Sequence, residues 1–119
     1  MTEVSRVRIP GPEAPPPPSR ATRHNAGKPR LSLVLEFRRA LEEATKGLEE
    51  GAGKYGRGNW RKGMPYDEIV DSLLRHLTKM VAGEVIDPDS PNQATHAGKV
   101  LCNALMLVEL YPDGPPDER

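Results

Sequence analysis

From Leu33 onward, apolar residues recur every three or four positions, at Leu33, Phe37, Leu41, Ala44, Leu48 and Ala52. That is the period of an α-helix burying one stripe. The spacing predicts a first helix with Ser32 as its N-cap. Glu36, Glu43 and Glu50 lie seven apart on the opposite face, which reads as solvated charge. A second helix follows from Ile69 or Val70, Leu73, Leu77 and Met80 or Val81. Pro65 suits its first turn, Asp67 and Glu68 suit the positive end of its dipole, and Gly83 and Pro88 bracket its end. A third run, "HAGKVLCNALMLVELY", is apolar on most sides and stops at Pro112. A helix apolar nearly all round is buried on most sides. No stretch alternates as a strand does, and no segment repeats.

The expected architecture is therefore all-α: a helical bundle of about three main helices per chain. Three helices make a thin core. The third carries more apolar surface than two neighbours can cover, so the bundle is expected to be completed by oligomerisation, as a homo-oligomer (dimer or tetramer). Six of the 13 prolines fall in residues 10–18, four of them consecutive. Residues 1–22 read as a Pro-rich disordered or arm segment, 23–111 as the helical domain and 112–119 as a flexible tail.

Charge narrows the partners. Seventeen basic and 17 acidic side chains leave a net charge of zero, whereas duplex binding draws on a basic excess. No stable nucleic-acid complex is expected. A single cysteine, Cys102, excludes an intrachain disulfide and a cysteine-based zinc cluster. It fits a reducing compartment, and the chain is expected in the cytoplasm. No run has the roughly 18 apolar residues of a membrane span, and no apolar stretch follows Arg6 and Arg8 as in a signal peptide.

Two stretches carry chemistry. "GAGKYGRGNWRKG", residues 51–63, interleaves five glycines with Lys54, Arg57, Arg61 and Lys62, and adds Tyr55, Asn59 and Trp60. Cations suit phosphates and aromatic faces suit a base. A loop of this size fits one nucleotide better than a strand, with a packing role for Trp60 as the plain alternative. On the second helix, His76, Met80, Glu84 and Asp87 fall in one stripe, provided the helix or a tight turn runs on through Gly83 to Asp87. Two converging carboxylates with open positions suit Mg²⁺ or Mn²⁺ holding substrate phosphates. His96 and Asn103 share a core-facing stripe of the third helix with Val100 and Leu107. The turn at 88–95 folds them back toward Glu84, Asp87 and His76.

Taken together, "RHNAGKPRLSLV", "GAGKYGRGNWRKG", "SLLRHLTKMVAGEVIDPDS" and "HAGKVLCNALML" resemble, in order and spacing, the phage dATP/dGTP diphosphohydrolase family, the MazZ branch of the MazG-like all-α nucleotide pyrophosphatases. The resemblance covers about residues 23–110. It implies a helical oligomer that cleaves a purine deoxynucleoside triphosphate between the α- and β-phosphates with Mg²⁺ or Mn²⁺. It also implies a supply of dGMP for 2-aminoadenine nucleotide synthesis. Glu84 and Asp87 match the family's ExxD. Its EExxE has no counterpart among Glu42, Glu43, Glu49 and Glu50. The expected metal ligands are Glu84, Asp87 and Glu50, with His76 and His96 as competing ligands or catalytic groups. Lys28, Arg30, Lys54 and Arg75 are expected on the triphosphate, and Tyr55, Asn59, Trp60 and Asn103 elsewhere on the nucleotide. The rival readings are a non-catalytic nucleotide or single-strand nucleic-acid binding module and an HD-like triphosphohydrolase. The latter needs an adjacent His-Asp pair, which the chain lacks.

Overall fold

The computed structural model describes residues 21–116; most of the Pro-rich segment and the last residues of the tail lie outside them. The described chain is all-α, with no strand among the described residues beyond one isolated bridge. It forms two compact units, one ending at Arg38 and one beginning at Arg39.

In the first unit the expected start of helix one is not α-helical. Leu31–Glu36 forms a 3₁₀ turn, and Phe37 breaks it. Leu33 and Phe37 are 41% and 66% exposed, so they are not core positions. A spacing of three or four is shared by both helix types, which is why periodicity does not separate them.

The second unit holds three helices, α1 (Arg38–Tyr55, all but its first residue), α2 (Tyr66–Val81) and α3 (His96–Leu110). The principal helix contact is α2 on α3, which run antiparallel. Ile69 is buried between them, and Tyr66 meets Tyr111 edge-on at 5.3 Å. The Tyr111 hydroxyl donates to the Met64 carbonyl, closing that end.

α1 meets α3 through small residues. A Cβ on Gly98 would lie 2.8 Å from Glu43 Cβ and 2.9 Å from the Glu43 carbonyl oxygen. Gly47 faces Cys102 in the same way, and Cys102 Sγ donates to the Ala44 carbonyl at 3.5 Å. Of the expected stripe, Ala44 is buried and Leu41 half-buried, but Leu48 and Ala52 are exposed, while Glu43 and Glu50, expected in solvent by their spacing, turn toward α3. Close backbone approach, not an apolar stripe, sets how α1 is rotated.

Burial pushes the Cys102 thiol above its ordinary pKa, so little of it is thiolate. Native protein is expected to react with a disulfide reagent far more slowly than the unfolded chain. Equal rates in a timed thiol assay would contradict that burial.

The two connections are built differently. Gly56, Gly58 and Gly63 all adopt positive φ (92°, 77° and 101°), turning the chain around a 3₁₀ turn at Asn59–Lys62. α2 stops at Val81 because Gly83, at φ 102°, caps it. Gly83 N–H returns to the Met80 carbonyl and Glu84 N–H to the Lys79 carbonyl, each at 3.0 Å. No described helix is long and apolar enough to cross a membrane.

Candidate metal and nucleotide site

Because α2 ends at Val81, Glu84 and Asp87 do not share a helix face; of the two expected routes, the continuous helix is excluded. An antiparallel bridge between Ile86 and Thr95 brings them in instead. Asp87 N–H donates to the Ala94 carbonyl and His96 N–H to the Val85 carbonyl, each at 2.9 Å. Thr95 then caps α3 by accepting from the Gly98 N–H. These backbone bonds put His96 on the first turn of α3, beside the connection that carries both carboxylates.

His96 is fully buried. Its Nε2 lies 2.8 Å from Glu84 Oε1, and its Nδ1 lies 3.0 Å from His76 Nδ1. A carboxylate only accepts, so His96 donates from Nε2. In the neutral ring that Nε2 proton leaves the lone pair on Nδ1, to which His76 donates. Burial, helped by nearby Lys99, holds His76 below its ordinary pKa against the opposing pull of Asp87. His76 is thus kept neutral, the form that binds metal. His76, Asp87 and His96 can each present one ligand atom so that all three lie within 4.8 Å of one another.

Asp87 is 5% exposed. Burial opposes its charge, but Lys99 Nζ at 2.8 Å from Oδ2 and the Asp89 N–H at 2.9 Å from Oδ1 outweigh it and hold the pKa below the carboxylate norm. Lys99 also pairs with Glu50 Oε1 at 2.7 Å. Burial works against the Lys99 ammonium too, and its two carboxylate partners win, raising its pKa. The Ser90 hydroxyl hydrogen-bonds the other Glu50 oxygen and accepts from the Ala94 N–H. Glu50, placed in solvent by its spacing and among the metal ligands by the resemblance, has its side chain buried in an ion network with Lys99 and lies outside the His76–Asp87–His96 group. Glu43, likewise expected in solvent, accepts from the Thr95 N–H at 2.9 Å and pairs with Lys46; those bonds lower its pKa.

The expected nucleotide contacts are distributed around this cluster. Lys54 belongs to α1, one turn past Glu50, and both line a surface cleft of about 320 Å³ with Asn92. Arg75 and Asn103 line a second cleft of about 380 Å³ between α2 and α3, where Asn103 Nδ2 donates to the Lys99 carbonyl at 2.9 Å. Tyr55 is exposed; Trp60 and Asn59 are half-buried, with the Arg61 guanidinium 5.3 Å from the Trp60 ring. Lys28 and Arg30 belong to the first unit. Lys99 and Ser90 were not foreseen. Between His96 and Glu109, Lys99 is the one charged residue in an apolar helix, and that isolation is the signal of a charge needing a buried partner.

Comparison with known proteins bears on what this cluster serves. A family model described as dATP/dGTP diphosphohydrolase, N-terminal, matches residues 18–116. A dATP/dGTP diphosphohydrolase of Salmonella phage PMBT28 is 31% identical over 87 residues, covering 72% of this chain and 29% of the relative. The chain thus spans under a third of that relative's length. No solved structure matches it. With nearly all of the helical unit inside the matched region, the chain belongs to the dATP/dGTP diphosphohydrolase N-terminal domain family.

Proposed function

We propose that this chain is a metal-dependent nucleoside-triphosphate diphosphatase: dGTP or dATP plus water gives dGMP or dAMP plus diphosphate. The observation that carries the proposal is the meeting of His76, Asp87 and His96 beside a buried carboxylate–lysine network, in a chain of this family. The donor set fits a divalent ion. His76, Asp87 and His96 each offer one ligand atom within 4.8 Å of the others, two imidazole nitrogens and a carboxylate oxygen that would hold such an ion. Of Mg²⁺ and Mn²⁺, Mn²⁺ accepts imidazole ligands more readily. An ion held by His76, Asp87 and His96 would supply Lewis acidity toward the phosphate oxygens and the attacking water.

The chain's own groups do the rest. Glu84 fixes the His96 ring and its tautomer by accepting the Nε2 proton, an outer-sphere role rather than the expected ligand role. His76 carries its proton on Nε2 once Nδ1 is engaged. Lys99 holds Asp87 and Glu50 in place. Lys54 and Arg75, which line the two clefts, neutralise triphosphate charge. Asn103 and Asn59 contact the nucleoside, and Tyr55 and Trp60 offer aromatic faces to the base. The chain acts as a homo-oligomer, dimer or tetramer, in the cytoplasm. Exposed apolar side chains such as Val81, Val85 and Val108, at 76%, 66% and 71%, support that assembly. The dGMP formed would supply 2-aminoadenine nucleotide synthesis in a phage.

The test is incubation of purified chain with each of the four dNTPs and Mn²⁺ or Mg²⁺. Purine nucleotide turnover with pyrophosphate as co-product is expected; inorganic triphosphate would reject the proposal. The chain matches only part of its relative, which favours one second reading: a nucleotide-binding module serving a separate catalytic part. Nucleotide binding that survives EDTA and the Glu84→Gln change, without turnover, would establish that reading.

A further inference from the structure

We infer that Lys99 is a built-in cation standing where a second divalent ion would otherwise sit, so that the site binds one ion per chain. The inference rests on the metal reading proposed above. The Lys99 ammonium lies 2.7 Å from Glu50 Oε1 and 2.8 Å from Asp87 Oδ2. Those carboxylates come from separate segments, α1 and the α2–α3 connection, and their side chains are only 8% and 6% exposed. A position bridging buried carboxylates is where paired-metal hydrolases hold an ion. Here a side chain anchored on α3 fills it. Of the remaining oxygens, Glu50 Oε2 is engaged by Ser90, whereas Asp87 Oδ1 accepts only the Asp89 N–H and keeps a lone pair for the first ion. A second ion would have to displace an ammonium that is itself mostly buried and would lose both partners.

Charge points the same way. Glu50, Glu84 and Asp87 bring three negative charges to the cluster and Lys99 one positive, leaving two. One divalent cation balances them. Glu43 does not enter this balance, because Lys46 pairs with it at 2.9 Å.

The test is the stoichiometry of Mn²⁺ binding, followed by the electron paramagnetic resonance of free Mn²⁺ and by metal analysis of desalted protein. Wild-type chain is expected to bind one ion, and so is Lys99→Arg. Lys99→Met keeps the stem, removes the charge and is expected to bind two. The second ion is expected to vanish again in Lys99→Met combined with Glu50→Gln. Without metal, Lys99→Met should melt below wild type and recover as Mn²⁺ is added, which separates a filled site from a failure to fold. Two ions on the wild-type chain, or one on folded Lys99→Met, would overturn the inference. If Lys99→Met does not fold, the wild-type count decides alone. No Mn²⁺ on the wild-type chain would overturn the metal reading itself.

Discussion

Gly98→Val is expected to destabilise the protein by about 3 kcal/mol, the upper end of the usual overpacking range. That corresponds to a fall in Tm of roughly 10–20 °C for a domain of this size. Most overpacked sites relax by moving a side chain. Here a Cβ would strike the Glu43 backbone, its carbonyl oxygen at 2.9 Å and carbonyl carbon at 3.0 Å, so α1 itself must withdraw. Withdrawal also breaks the Thr95 N–H bond to Glu43 and pulls Glu50 from Lys99. Mn²⁺ affinity should therefore fall along with stability. A thermal melt of Gly98→Val within 2–3 °C of wild type, well short of that shift, would show that α1 does not pack this closely.

Asp87→Asn is expected to abolish measurable Mn²⁺ binding and to cut turnover by at least ~100-fold, since even the outer partners of metal ligands are worth 10- to 100-fold. The carboxamide removes a charged donor from the His76–His96 cluster and one of the two partners of Lys99. Breaking a buried pair from one side costs about 3–5 kcal/mol; the lower figure applies because Lys99 keeps Glu50. The substitution should also change acid sensitivity. The folded-state pKa of Asp87 is depressed, so its contribution is present above the unfolded value of about 3.9 and is lost as pH falls through the lower folded value. Asp87→Asn should lack that acid limb. Denaturant melts between pH 2 and 7, with a Mn²⁺ titration at neutral pH, measure both effects. Unchanged Mn²⁺ affinity would remove Asp87 from the ligand set.

How much of this was legible in the sequence depends on which force sets each element. α2 and α3 were legible because their apolar stripes face each other, and Ile69 occupies the buried position its spacing implies. His76, Glu84, Asp87 and His96 were legible as a group because a short connection must fold α3 back on α2; Asn103, expected with them, lies two turns further along α3 and lines the cleft with Arg75 instead. The geometry that joins them was not, since angular reasoning runs a helix past Gly83 while the glycine cap ends it. The facing of α1 was legible only in part. Apolar periodicity finds the buried Ala44 but weights Leu48 and Ala52 equally, and it passes over Gly47 and Gly98, whose value at the crossing lies in how little they occupy. Glu43 and Glu50 then look like surface charge until a backbone N–H and a lysine are found opposite them. The glycine-rich stretch reads as a ligand loop by composition. In the fold, Gly56, Gly58 and Gly63 also serve a local need for positive φ.

The pairing of Glu50 with Lys99 also works as a charge-coded register mark. One helical turn before Glu50 stands Lys46, and one turn after it stands Lys54. Sliding α1 along α3 by a turn in either direction, about 5.4 Å, would set ammonium against ammonium in a place withdrawn from water, where like charges repel most strongly. The alternation of lysine, glutamate and lysine down one edge of α1 thus admits a single alignment of the two helices and penalises both of its nearest competitors.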